Sequence, residues 1–409
     1  MNTGKNFNTN FSQTRDLASQ IESSTLPAAE DAPAAEDAVT APAEAAELPP
    51  LPTLPPLPPR RTMPLPSSDG VAAGMATIAA DQALIATDQR SGLPLAPDAL
   101  PGQVARWRGV LRPGMFWLSL APVIVGTAIA WLEPLGGSIP FHPFRLLFLL
   151  LAVVALHGGA NLLNESYDVL RGTDGRQALG SRKIIQRGLL PAYGVRRAAL
   201  LLLVLGALDL LILTLIVHAW GALVLGGASL LLAYFYSATR YALAYFPLSE
   251  LMVGFVMGPA ALFASVQLQG APVSSLAITF ALALGALAAA VMLANNLRDL
   301  ETDRAANKRT LVTYIGAQTG RALYLALILL PYLLVALVAF PHARPHGVLL
   351  ILLTLPALFV SITGALRAET PAASHLVVEQ TMRLHKLFSC WLLIGYLLSV
   401  GAAYLLSLF

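Results

Sequence analysis

Residues 275–311 read SLAITFALALGALAAAVMLANNLRDLETDRAANKRTL. From Ser275 to Ala294 no residue is charged. A helix of about 20 apolar residues rises about 30 Å, the thickness of a bilayer's hydrocarbon core. The chain then changes character at once, with Asn295-Asn296-Leu297-Arg298-Asp299-Leu300-Glu301-Thr302-Asp303 followed by Lys308 and Arg309. An apolar span that ends in a dense polar motif reads as a membrane helix with chemistry at its aqueous end.

Spacing gives the motif a direction. Asn295, Asp299 and Asp303 lie four residues apart in series. Each step of four turns a helix by only about 40°, so a continuous helix presents all three on one side. A row of amide and carboxylate oxygens suits Mg²⁺, a hard cation that bridges carboxylates to phosphate oxygens.

The pattern occurs twice. After an apolar run ending near residue 160 comes Asn161-Leu162-Leu163-Asn164-Glu165-Ser166-Tyr167-Asp168-Val169-Leu170-Arg171-Gly172-Thr173-Asp174. Asn164 and Asp168 repeat the four-residue step. Gly172 stands where a third acid is expected, and Asp174 follows two residues later. A glycine there ends the helix and lets the chain turn back. Two rows facing each other have the ligands for two ions around one diphosphate: Asn164, Asp168 and Asp174 for one, Asn295, Asp299 and Asp303 for the other. Arg182, Lys183, Arg240, Lys308 and Arg309 supply positive charge for the anion. Helix caps at headgroup level are the plainer reading of either motif alone. Two such motifs, each followed by cations, favour a ligand, because ionisable groups near the membrane interior are costly.

The rest of the chain agrees. It is 56% hydrophobic and 12% charged. Apolar runs lie near 114–133, 145–165, 196–217, 219–237, 248–268, 274–297, 319–340, 347–366 and 386–408, about nine spans in an all-α membrane bundle. Arg and Lys fall almost entirely in alternate loops, so the positive-inside rule puts the N-terminus and both motifs in the cytoplasm and the C-terminus outside. A net charge of +3 argues against nucleic acid as a partner. The single cysteine, Cys390, excludes an intrachain disulfide and a thiolate metal site. Residues 1–20 lack the apolar core of a signal peptide. Residues 1–104 read as a disordered tail, rich in Ala and Pro and containing LPPLPTLPPLPPRR at 48–61. Protein partners of that tail are not legible in it.

The two motifs, with Leu248-Ser249-Glu250 through Gly258-Pro259, resemble the UbiA-type superfamily of intramembrane aromatic prenyltransferases. The resemblance covers about residues 105–409. Within the superfamily they are most similar to the branch that prenylates 1,4-dihydroxy-2-naphthoate in menaquinone synthesis. Glu165 stands where that branch has Asp, and Ser249 where it has Gly. The resemblance implies a plasma-membrane enzyme that transfers a polyprenyl group from its diphosphate to an aromatic acceptor, with Mg²⁺ as cofactor and loss of CO₂ and diphosphate. It implies Asp168, Asp174, Asp299 and Asp303 as catalytic residues. Asn161, Asn164, Arg182, Lys183, Tyr236, Arg240, Glu250, Asn296, Arg298, Lys308 and Arg309 become substrate-binding candidates, with Glu250 orienting the acceptor. Arg298 and Glu301 are expected to pair with the opposite motif. Tyr167, Tyr234, Tyr236 and Tyr241 offer aromatic faces for an allylic cation, although interfacial belts also use tyrosine. His157 and Asp209 read as packing groups. Other acceptors (4-hydroxybenzoate, homogentisate, chlorophyllide, haem) remain open, as do a transporter and a non-catalytic scaffold. A transporter would place its ionisable groups near the midplane, not at one face.

Overall fold

A computed structural model describes residues 102–132, 140–171, 184–185, 188–238, 242–340 and 346–406. Asp174, Arg182, Lys183, Arg240 and Tyr241 lie outside the described residues, as does nearly all of the tail at 1–104. The described residues are helical with no strand among them. In order they form α1 (Gln103–Leu111), α2 (Trp117–Leu132), α3 (Pro143–Arg171), α4 (Ala192–Val217), α5 (Trp220–Ser237), α6 (Ser249–Leu268), α7 (Ser275–Arg298), α8 (Leu300–Ala305), α9 (Leu311–Ala339), α10 (His346–Arg367) and α11 (Pro371–Leu406). Eight are long and apolar enough to cross a membrane, or nine if α1 and α2, bent by 47°, count as one span.

Several spans differ from their hydropathic outline. α3 continues through Arg171, so residues 161–171 of the first motif lie within the helix and not beyond it. α11 is 36 residues long and starts 15 residues before the apolar run at 386. At 1.5 Å per residue it outreaches the hydrocarbon core, so its polar first turns extend past the membrane boundary. The first span is broken, because Arg112 adopts a left-handed conformation (φ 53°, ψ 57°) and Pro113–Met115 forms a 3₁₀ turn before α2. α6 carries a π-helical bulge at Val256–Ala260 around Pro259, whose ring nitrogen cannot donate a helical hydrogen bond.

α7 is the axis of the bundle. Of its most apolar window 78% is buried, against 17–44% for the other spans. Its run of Ala and Gly explains this, since small residues let neighbouring backbones approach closely. A Cβ on Gly258 would lie 2.5 Å from the Ala281 carbonyl and the Gly285 Cα, and one on Gly285 would lie 2.5 Å from the Gly254 carbonyl. α6 and α7 therefore cross almost backbone to backbone. On the periphery Leu201, Val204, Leu208, Ile212 and Ile216 of α4 are exposed, as a lipid-facing stripe requires.

Candidate active site

Chain direction brings the polar motifs to one end of the bundle. The C-terminal ends of α3, α5 and α7 and the N-terminal ends of α6 and α9 meet there, because successive spans run antiparallel.

Residues 161–168 of the first motif occupy two faces of α3. Asn164 donates to Asp168 Oδ2 at 3.0 Å, the i,i+4 contact that their spacing predicts. Ser237 at the end of α5 donates to Asn164 Oδ1 at 2.9 Å and fixes its amide. On the other face Glu165, only 2% exposed, forms an ion pair with Arg112. Asn161 donates to the Leu111 carbonyl at 3.1 Å, one of the free carbonyls at the end of α1. Asn161 and Glu165 thus join the end of α1 to the motif helix.

The second motif is not the single straight ladder that its spacing suggests. α7 stops at Arg298, and Asp299 (φ −92°, ψ 6°) separates it from α8. The register survives through backbone bonds from Asp299 N to Asn295 O at 3.0 Å and from Asp303 N to Asp299 O at 2.8 Å. The break has a local cause. Arg298 makes a two-pronged contact with adjacent Asp299, both N···O distances being 2.7 Å. Neighbouring residues on a regular helix do not face each other, so this pair requires the turn. Arg298 thus pairs within its own motif, not across to the first. Glu301 is 81% exposed and pairs outward with Arg304 at 2.9 Å.

Lys308 links the two motifs. Its ammonium lies 3.5 Å from Asp303 Oδ1, and its backbone N–H donates to the Asp303 carbonyl at 2.8 Å. Its nitrogen also sits 5.7 Å from the Tyr245 ring centre. Burial works against the charged form, but Asp303 and Asp168, with Tyr236 and Tyr245, outweigh it and hold the pKa above the ordinary lysine value. A carboxylate from each motif therefore acts on one cation. Tyr236 donates weakly to Met292 Sδ at 3.9 Å. Tyr234 stacks edge-on with Phe235 at the exposed surface, as a belt residue does.

Asn296 and Glu250 form a third cluster, where α6 meets α7. Asn296 Nδ2 donates to Glu250 Oε1 at 2.7 Å and to Ser249 Oγ at 3.0 Å, while Ser249 Oγ donates to Glu250 Oε2 at 2.9 Å. Below it an apolar cluster of Leu118, Ala288 and Val291 is lined by Met115, Val253, Met257 and Met382. His157 bonds Ser119 at 2.9 Å and packs on Phe116, which agrees with a packing role.

Four contributors were not singled out in the sequence: Arg112, Ser237, Ser249 and Tyr245. Only Ser249 left a trace, as a departure from the usual glycine. The others act through tertiary contacts with no local signature.

The oxygen donors suit a divalent cation, and Asp303 holds the Lys308 ammonium at 3.5 Å, a contact that favours positive charge at this end of the bundle. Among the described residues no three His, Cys, Asp or Glu side chains gather into a metal-ligand group. The fit is thus one of donor chemistry, with Asn164 and Asn295 alongside the acids.

Apolar helices with a polar, Asn- and Asp-rich site at one end of the bundle define a helical membrane protein whose chemistry lies at the ends of its spans. The profile of the UbiA prenyltransferase family matches residues 119–387, and the chain belongs to that family. It is 31% identical to a 1,4-dihydroxy-2-naphthoate octaprenyltransferase of Escherichia coli over 304 residues, 73% of this chain and 96% of the relative. It is 33% identical to a Mycobacterium tuberculosis protein of the same name over 256 residues, 58% of this chain and 84% of that one. A UbiA homologue from Archaeoglobus fulgidus, solved with GPP and Mg²⁺, shares the fold at a TM-score of 0.54 and 18% identity, covering 71% of this chain and 99% of that one.

Proposed function

We propose that this protein transfers a polyprenyl group from its diphosphate to 1,4-dihydroxy-2-naphthoate, with release of diphosphate and CO₂. The observation that carries this reading is the meeting of both motifs at one end of the bundle, where Lys308 lies 3.5 Å from Asp303 and Asn164, held by Ser237, holds Asp168 at 3.0 Å. Such a centre suits a cation–diphosphate pair. The names of the relatives support the acceptor, and the solved homologue supports Mg²⁺ and a prenyl diphosphate.

Asn164, Asp168, Asn295, Asp299 and Asp303 would hold Mg²⁺, joined by Asp174. Bound there, the ion neutralises charge that develops on the leaving diphosphate. Lys308 and Arg309, with Arg182, Lys183 and Arg240, hold the anion's remaining oxygens. The allylic C–O bond breaks, its electron pair leaves with diphosphate, and the ring carbon that bears the carboxyl group bonds to the prenyl carbon. Departure of CO₂ returns an electron pair to the ring. The methionine-lined cluster below Asn295 keeps water from the allylic carbon, as a short-lived cation requires. Residues 105–409 form the enzyme domain, and the site faces the cytoplasm at the plasma membrane.

An acceptor panel tests the reading. Purified protein in detergent, with Mg²⁺ and one polyprenyl diphosphate, is offered dihydroxynaphthoate, 4-hydroxybenzoate and homogentisate in turn. Dihydroxynaphthoate alone should give prenylated product with stoichiometric ¹⁴CO₂ from labelled carboxyl. Product from another acceptor but not from naphthoate would move the assignment. No diphosphate release with any acceptor would reject prenyl transfer.

A further inference from the structure

Asn295 and Asn296 are adjacent amides at the end of α7, and each donates through Nδ2 to the protein. Asn295 Nδ2 donates to the Val291 carbonyl at 3.0 Å. Asn296 Nδ2 donates to Glu250 Oε1 and Ser249 Oγ. Neither orientation can be reversed without conflict. A backbone carbonyl accepts and cannot donate, and a reversed Asn296 amide would set its oxygen 2.7 Å from a carboxylate oxygen. Each amide therefore directs Oδ1 away from these partners. Among the described residues neither Oδ1 accepts a hydrogen bond.

Glu250 is an unusual partner for this task. It is 5% exposed, and both of its oxygens accept hydrogen bonds from neutral groups. Among the described residues it has no ion pair. The backbone-to-backbone crossing at Gly254, Gly258 and Gly285 fixes its register against Asn296. Ser249 is fully buried and bridges the two. A buried carboxylate held only by neutral donors contributes little net stability. Its clear geometric consequence is the orientation of one amide beside the motif.

We propose that Ser249 and Glu250 are positioning residues that lock the Asn296 carbonyl oxygen toward the cation side of the site. This rests on the prenyl-transfer reading above. An amide NH₂ seeks anions and an amide oxygen seeks cations. Asn296 then serves the metal or its bound water, and diphosphate is held by Lys308 and its basic neighbours. Glu250 acts through Asn296 and does not touch the acceptor.

Metal binding tests this apart from turnover. Mn²⁺ is titrated into detergent-solubilised protein with inorganic diphosphate present and followed by electron paramagnetic resonance. Loss of a group that orients a ligand weakens metal affinity about 10- to 100-fold. Glu250→Gln can offer its own NH₂ to Asn296 and release the lock, so Mn²⁺ affinity should fall by at least about tenfold. Diphosphate affinity at saturating Mn²⁺ should stay unchanged. Adding Asn296→Asp to Glu250→Gln should restore Mn²⁺ affinity, because a carboxylate presents oxygen whichever way it turns. Unchanged Mn²⁺ binding in Glu250→Gln, or a double variant as weak as the single one, overturns the proposal. If Glu250→Gln does not fold, Ser249→Gly removes one contact and should weaken Mn²⁺ measurably, with no change counting against the lock. Absence of Mn²⁺ binding in the wild-type protein would defeat the prenyl-transfer reading itself, and the lock with it.

Discussion

The two motifs share a spacing but are held in place by different means. Residues 161–168 of the first sit on α3 and are braced by other elements: Arg112 from the α1–α2 bend, Ser237 from α5 and the Leu111 carbonyl. The second sits on a broken helix, and two of its ion pairs are internal, Arg298 with Asp299 and Lys308 with Asp303. The charged groups of the first motif are therefore held by other elements, whereas Asp299 and Asp303 of the second pair with near neighbours in the chain while Ser249 and Glu250 of α6 hold Asn296. Equal sequence patterns need not have equal structural dependence.

The largest expected effects test whether the motifs serve one centre despite this difference. Asp168→Asn and Asp303→Asn each remove a carboxylate acting on the shared cation position. Loss of one group that stabilises developing charge lowers kcat on the order of 10²- to 10³-fold. Prenyl transfer in detergent should fall by that amount in both variants. A loss of less than about tenfold in one, beside a full loss in the other, would separate the motifs functionally.

Much of this was legible in the sequence. The alternation of apolar runs and basic loops announced the membrane bundle, because hydrocarbon thickness fixes helix length. The Asn164–Asp168 contact followed from a four-residue step. The break at Asp299 was not legible, since spacing carries no information on whether Arg298 turns toward its neighbour. Ion pairing across the motifs was also misjudged for Arg298 and Glu301, because proximity in sequence offered Asp299 and Arg304 first. The Arg112–Glu165 pair joins residues 53 apart, and no periodicity reports such a contact.

That pair gives the next prediction. Glu165 is 2% exposed and the Arg112 side chain 17%. Removing one partner of a buried ion pair costs about 3–5 kcal/mol, mainly by stranding the other charge. Glu165→Ala should lower the detergent melting temperature far more than Arg298→Ala, whose partner Asp299 is 26% exposed. Glu165→Asp, which restores the residue usual in the related branch, should fall between them. Equal effects of Glu165→Ala and Arg298→Ala would erase the contrast between an ion pair made across elements and one made between chain neighbours.

Lys308 sharpens the contrast through pH. Its pKa is raised in the folded protein, so its contribution to stability is fully present below the ordinary value of about 10.5. That contribution is lost only as pH rises through the still higher folded value. Between about pH 7 and pH 9 the melting-temperature loss caused by Lys308→Gln should therefore stay constant. A loss that shrinks by about pH 9 would mean that the ammonium already titrates there, and that the two carboxylates do not act on it together.

The smallest effect belongs to Glu301, which lies inside the second motif by sequence and outside it by structure. Its carboxylate is 81% exposed and pairs with Arg304, itself 48% exposed. Exposed pairs of this kind contribute about 0–1 kcal/mol. Glu301→Ala should leave both melting temperature and prenyl transfer close to wild type, in contrast to Asp303→Asn two residues away. The difference would follow from about 200° of helical rotation between the two positions, because Asp303 points inward to Lys308 while Glu301 faces solvent. Substantial loss in Glu301→Ala would instead place its carboxylate in the site during turnover. α8 would then have to rotate on the Asp299 hinge, and the acids of the second motif would no longer be placed by their near neighbours in the chain alone.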